Sequence, residues 1–229
     1  MVYKLLPDKC QETYTRLLYL IKKHFPNFNP HSFKIDYEMA MANAIQTVFQ
    51  SAKITGCYFH YTNAIKKSEV VRDEVSHQKF IQLCYQLPHL PETYIPEGFM
   101  TILHQAPEGK ATVNFVKYFT KQWLSSNKPT ICCYKQKHKT NNIAEGWHSR
   151  INKRIKRKPG LLHFIQMLDK EAKIQNIRVF KKIHQLQSNA RRRKHLLKET
   201  RIGHIEKKNV NEKVSMRKGL NMLRRLNLG

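Results

Sequence analysis

Acidic residues are scarce in this sequence: 16 Asp and Glu stand against 42 Lys and Arg, a formal net charge of +26. The chain also lacks any run near the ~18 apolar residues that a membrane-spanning helix needs. Its start, Met1 to Cys10, has neither the apolar core nor the small-residue cleavage site of a secretory leader. Five cysteines are too few and too scattered for a disulfide framework, so a reducing compartment is expected. No internal repeat is seen. An apolar share of 41% and an aromatic share of 10% exclude a largely disordered chain.

The positive charge is unevenly placed. Met1 to Tyr134 carries 15 Lys and Arg against 10 Asp and Glu, whereas Lys135 to Gly229 carries 27 against 6. A block this basic attracts polyanions by Coulomb steering and counterion release, and nucleic acid is the commonest such partner. A solvated basic tail is the bland alternative. Arg191, Arg192, Arg193 and Lys194 read either as phosphate contacts or as a nuclear import signal. Anionic membrane is the weaker expectation, because no clean apolar face accompanies the charge.

Along the chain, Val2 to Leu6 reads as the end of a strand. A helix follows over 11–25, with Tyr14, Leu17, Leu18 and Ile21 at helical spacing. Ser32 to Ile35 reads as a strand that stops at Asp36, a second helix runs to Phe49, and Ala52 to Cys57 is another strand. This order predicts a parallel or mixed α/β sheet over 1–60. Helical patterns then dominate 61–134, with turns at Pro88, Pro91, Pro96 and Pro107-Glu108-Gly109. A polar loop over 135–140 leads into a helix from Asn142 to about Lys158, which stops at Pro159-Gly160. The remainder, 161–229, reads as one or two basic helices followed by about 20 weakly structured residues.

Three groups can carry chemistry. Asp36 follows a strand and precedes a helix, on the rim of an α/β sheet where ligands gather. It suits a hard divalent ion, which wants oxygen donors, although spacing alone favours a cap for the next helix. Glu145 shares a helix face with His148, Ser149 and Asn152, flanked by Lys139, Arg150, Lys153 and Arg154. That pattern fits a metal or phosphate site with basic walls, and a Glu in a first turn also complements the helix dipole. Ile143, Trp147, Ile151 and Ile155 form the buried stripe of the same helix. Cys57 and His60 have the spacing of half a zinc site, but Cys132, Cys133 and His138 supply no second pair, and a packing role is favoured.

Three stretches in register resemble the transposase domain of Mutator-like elements. They are Leu5-Leu6-Pro7-Asp8-Lys9 with Glu12-Thr13-Tyr14, then Ile35-Asp36-Tyr37-Glu38-Met39-Ala40 through Gly56-Cys57-Tyr58-Phe59-His60, then Thr140-Asn141-Asn142-Ile143-Ala144-Glu145-Gly146-Trp147-His148 with Arg150-Ile151-Asn152. The resemblance implies a partial RNase H-like mixed sheet, α/β or α+β in class, with an all-helical insertion and a basic helical C-terminal region. It implies that Asp36 and Glu145 are the second Asp and final Glu of an Asp-Asp-Glu triad holding Mg²⁺ or Mn²⁺ for DNA strand cleavage and transfer. Cys57, His60, Asn141, Asn142, Trp147 and His148 match its motif positions. The family's first Asp lies upstream of the matched segment, so little transposition is expected of this chain alone. DNA is the expected partner, contacted through Lys139, Arg150, Lys153, Arg154, Arg157 and the Arg191–Lys194 run, in the nucleus. No membrane and no small-molecule substrate are expected, and homo-oligomerisation is left open. The competing expectation is a non-catalytic basic nucleic-acid-binding protein.

Overall fold

The computed structural model describes residues 5–68, 75–124, 130–136, 139–140, 142–155, 159–184, 193–210 and 215–228. Its fold is mixed α/β and mostly helical, with a small two-stranded parallel sheet. The chain divides into two compact units. One comprises 142–195 with the segment ending at Pro7, and the other comprises Asp8–Asn141 with Leu196–Gly229. No helix among the described residues is long and apolar enough to cross a membrane.

The larger unit opens with α1 (Gln11–His24), β1 (Ser32–Ile35), α2 (Met39–Val48) and β2 (Lys53–Gly56). Helix α1 starts where Cys10 caps it, its side chain accepting from the Thr13 N–H, and it packs against α2. Tyr14 and Leu18 supply the buried face of α1; Ala42, Ala44, Ile45 and Val48 supply that of α2. Burying these side chains stabilises the pair by roughly 1.5–3 kcal/mol for each Leu, Ile or Val fully withdrawn from water. Strands β1 and β2 pair in parallel with Ser32 opposite Lys53 and Ile35 opposite Gly56. Beyond β2, Thr130 makes a parallel bridge to Thr55 and its carbonyl accepts from the Gly56 N–H at 2.9 Å. The expected strand at Val2 to Leu6 falls largely outside the described residues; Leu5 and Leu6 themselves are not in a strand.

Helices α3 (Tyr58–Lys66), α4 (Val75–Cys84), α5 (Ile95–Leu103) and α6 (Lys110–Trp123) follow, as the helical reading of this region anticipates. Their core is aromatic: Tyr61, Phe80, Phe99, Phe115 and Phe119 are all fully buried, and Phe99 stacks on Phe119 with centroids 4.2 Å apart. Two short 3-10 turns, Leu87–His89 and Glu92–Tyr94, occupy the proline-marked connection. At the anticipated Pro107 turn, Gly109 precedes α6 with φ 138°, in the region that only glycine enters without strain.

The C-terminal residues correct the expectation of weak structure. They form α10 (Met216–Leu228), preceded by α9 (Arg193–Val210). Leu220 is buried in the aromatic core, and Leu223 packs with Ile202 and Ile205. Met216, Leu220 and Leu223 sit at helical spacing, so the amphipathic signal is present in the sequence beneath a high density of cations.

The smaller unit contains α7 (Asn142–Arg154) and α8 (Leu161–Ile183). Glu171 of α8 is buried and joins the two helices, accepting from Arg150 Nη2 at 2.5 Å and Arg154 Nη1 at 3.0 Å. Burial opposes the Glu171 charge, but hydrogen bonds from Gln175 and Arg150 and the charges of Arg150 and Arg154 hold its carboxyl below the ordinary range. Of the expected stripe on α7, Ile151 is buried and Trp147 and Ile155 are half-buried, while the Ile143 side chain lies outside the described residues.

Candidate functional site

The carboxyl ends of the two strands bring two sequence-chosen residues to one rim. The register continues past Ile35 and Gly56, so Asp36 and Cys57 leave the sheet side by side; the Cys57 N–H donates to the Ile35 carbonyl at 2.8 Å. Asp36 is exposed. It does not cap α2. That position belongs to Glu38, whose carboxylate instead accepts from the Tyr14 hydroxyl at 3.1 Å. Among the described residues Asp36 has no hydrogen-bond or ion-pair partner, which leaves a solvated hard-oxygen donor at the strand end.

The reason the helix starts late is Tyr37. Its φ of 69° is left-handed, unusual for a residue with a large side chain, and costs of order 1–3 kcal/mol unless its surroundings hold it. They do: the Tyr37 ring lies over Gly56 in the space a Cβ would occupy, and its edge meets Trp123 with centroids 4.9 Å apart. Burial pushes the Tyr37 hydroxyl pKa far above its usual value, and that oxygen has no hydrogen-bond partner among the described residues. Tyr37→Phe is therefore expected to raise stability by up to ~1 kcal/mol, read as a higher urea midpoint, because an unpaired buried hydroxyl is removed without changing the ring.

Cys57 is fully buried and caps α3 by its backbone position, and half-buried His60 stands one turn on, against Phe59. Beneath the rim, Lys34 stretches across the strands and donates to Thr55 Oγ1, to the Gly56 carbonyl and, at 2.7 Å, to Gln136 Oε1. Burial lowers its pKa.

Glu145 belongs to the smaller unit, in the first turn of α7, half-buried. His148, Ser149 and Asn152 are exposed on α7, as is Lys153, so the polar face anticipated for this helix is solvent-facing. Trp147 and His148 stack edgewise at 5.1 Å. Asn141, Arg157, Arg191 and Arg192 lie outside the described residues. For Asn142, Arg193 and Lys194 only the helical backbone is described.

Several cations expected to face DNA are paired with carboxylates of the protein. Arg150 and Arg154 neutralise Glu171. Lys139 donates to buried Glu206 at 2.7 Å, with its own side chain 22% exposed. Glu206 Oε1 also lies 3.0 Å from His89 Nδ1, and Oε2 accepts from the Lys135 N–H at 3.3 Å. This buried cluster escaped the sequence reading. Its only sequence signal is a histidine within the apolar run Leu87-Pro88-His89-Leu90. Burial holds His89 below its ordinary pKa, so its ring is neutral, and Nδ1 lies 3.0 Å from both Glu206 Oε1 and the Lys139 Nζ. Burial pushes the nearby Cys133 thiol up to about 12, so it stays protonated. Elsewhere among the described residues, Arg201, Lys208 and Arg225, with His204 beside them, line a cleft of about 500 Å³ between α9 and α10, over Ile205 and Met222. The chain matches no protein-family model, no curated protein and no solved structure.

Proposed function

We propose that the chain derives from a Mutator-type transposase, in which Asp36 and Glu145 are metal-binding carboxylates for DNA strand cleavage and transfer. The observation that carries this reading is Asp36: an exposed, uncommitted carboxylate at the carboxyl rim of a parallel strand pair, freed from the capping role that would otherwise explain it. The donor chemistry suits Mg²⁺ or Mn²⁺, which prefer carboxylate oxygen over thiol or imidazole. Asp36 and Glu145 would hold the ion; such ions stabilise the attacking and leaving oxygens of an in-line displacement at phosphorus. The parallel order strand–helix–strand with a helical region following it supports an RNase H-like arrangement of this segment. The cations of 135–229 supply the attraction to the DNA backbone, in the nucleus.

The test is Mn²⁺ titration of the purified chain by calorimetry, with DNA affinity read separately by fluorescence anisotropy. Weak Mn²⁺ binding is expected, and Asp36→Asn or Glu145→Gln is expected to weaken it at least tenfold while DNA affinity without metal stays within twofold. A second reading, non-catalytic binding of nucleic acid, draws on the basic cleft between α9 and α10. Under that reading both substitutions leave Mn²⁺ binding unchanged, and that outcome would remove the transposase assignment.

A further inference from the structure

The cleft between α9 and α10 lies wholly within the larger unit. On α9, Arg201, His204, Ile205 and Lys208 stand at i, i+3, i+4 and i+7, so they share one face. On α10, Met222, Arg225 and Leu226 follow the same spacing at i, i+3 and i+4. Leu223 packs with Ile202 and Ile205 and so joins the two helices beneath the cleft. The result is an apolar floor of Ile205, Met222 and Leu226 between banks that carry exposed Arg201, His204, Lys208 and Arg225. No carboxylate is among the described residues that line it. The buried acid of this part of α9, Glu206, is turned instead onto Lys139 and His89.

We propose that this cleft takes an unpaired nucleotide of single-stranded nucleic acid, its base against the His204 ring and Met222 and its flanking phosphates on Arg201, Lys208 and Arg225. The inference rests on the nucleic-acid-binding reading above for its class of partner, and it is independent of Asp36 and Glu145. Three features select this occupant. The volume of about 500 Å³ is that of a small-ligand site. A duplex keeps its bases in the stack and could meet only the cations on the banks. The side chains suit a base, because an imidazole ring stacks on one and the sulfur of methionine meets aromatic rings favourably. The cations suit a backbone. Arg201 and Lys208 lie roughly 10 Å apart along the axis of α9, about the length of three stacked nucleotides at ~3.4 Å each, and Arg225 faces them from the other helix. The cation excess around the cleft, 27 Lys and Arg against 6 Asp and Glu over 135–229, matches a continuous polyanion more closely than one acidic peptide or one alkyl carboxylate.

The test uses the full chain and the fluorescence anisotropy of labelled oligothymidylate, which forms no duplex with itself, beside a labelled duplex of equal length. Elevated salt suppresses the counterion-release part of binding, to which every phosphate-contacting cation of the chain contributes, and leaves base contacts. Under that condition the wild-type chain is expected to hold the single strand roughly tenfold tighter than the duplex. His204→Ala, at an exposed position, is expected to lower single-strand affinity roughly fivefold or more and to leave duplex affinity within about twofold. His204→Phe keeps a ring and is expected to hold single-strand affinity within about twofold of wild type. Independently of any variant, 4-thiothymidine within the oligonucleotide is expected to crosslink, on irradiation, to peptides covering 200–208 or 222–226, identified by mass spectrometry. Equal affinities for single strand and duplex, or a His204→Ala loss shared by both, would overturn the proposal while leaving nucleic-acid binding intact. Absence of binding to either would remove both. Crosslinks confined to other segments would also overturn it. So would polyglutamate or phosphatidylglycerol vesicles whose binding falls with His204→Ala when that of the single strand does not, which would assign the cleft to an acidic peptide or a membrane.

Discussion

Replacing Glu206 with alanine is expected to lower the stability of the larger unit by about 3 kcal/mol, the lower end of what breaking a buried ion pair costs. The side chain is 4% exposed and has three polar neighbours: the Lys139 ammonium, the His89 ring and the Lys135 backbone N–H. Alanine leaves all three facing a void. Lys139 recovers part of its hydration because it is 22% exposed, which keeps the loss from the upper end; His89, 2% exposed, recovers almost none. In a domain of this size about 3 kcal/mol corresponds to a fall of roughly 6–12 °C in melting temperature, measurable by scanning calorimetry. The pH dependence has a definite sign. The folded pKa of Glu206 is depressed: burial opposes the charge, but the hydrogen bonds of His89 and Lys139 and their charges outweigh it. Its contribution is therefore complete above the ordinary value of 4.5 and lost as pH falls through the lower folded value. His89 is depressed too, by burial first, so the unfolded chain takes up a proton below 6.5 before the folded one does. Both effects destabilise in acid. The stability gap between wild type and Glu206→Gln should stay level from about pH 8 to about pH 5 and close below about 4.5, as the carboxyl protonates in both states.

That cluster illustrates what the sequence conceals. Glu206 and Lys139 are 67 residues apart in a region dense with cations, so each reads as one more solvated charge; only the docking of α9 onto the Leu87–His89 turn withdraws them from water. Local pattern succeeded where it was sufficient. The short run Ser32–Ile35 is observed as the strand read there, and α1 ends at His24, one residue before its anticipated end, ahead of Pro26. The candidate site was legible in part for the same reason. Asp36 is visible as a carboxylate after a strand, yet whether it caps the next helix turns on Tyr37. A helix beginning directly after Asp36 would have made it the cap. Periodicity cannot announce a left-handed tyrosine, because the cause is a ring packed over a glycine 19 positions later. Helix α10 was missed for a different reason: its leucines are interleaved with Arg217, Lys218, Arg224 and Arg225, and charge density outweighed spacing.

Gly56→Ala is expected to cost about 3 kcal/mol, an outsized penalty for a single methyl group. The added Cβ would coincide with ring atoms of Tyr37, so one of the two must move. Neither has room. Gly56 is held in β2 by pairing with Ile35 and by the Thr130 carbonyl, and the Tyr37 ring is held by Trp123 behind it. Overpacking a well-filled core costs typically ~1–3 kcal/mol, and displacing the ring also removes the packing that sustains the left-handed backbone at Tyr37. A double-mutant cycle isolates the cause. In a Tyr37→Ala background the same glycine substitution is expected to cost under ~1 kcal/mol, since Ala is no worse than Gly in a strand once the ring is gone. Equal losses in the two backgrounds would mean that the glycine serves strand geometry and not the ring. The contact bears on the rim as well, because Asp36 directly precedes Tyr37 and Cys57 directly follows Gly56. Shifting the ring rotates the backbone that aims Asp36 out of the sheet. Under the proposed metal-binding role of Asp36, Gly56→Ala should weaken Mn²⁺ binding at temperatures where the protein is still fully folded, whereas Tyr37→Phe, which keeps the ring in place, should leave it unchanged.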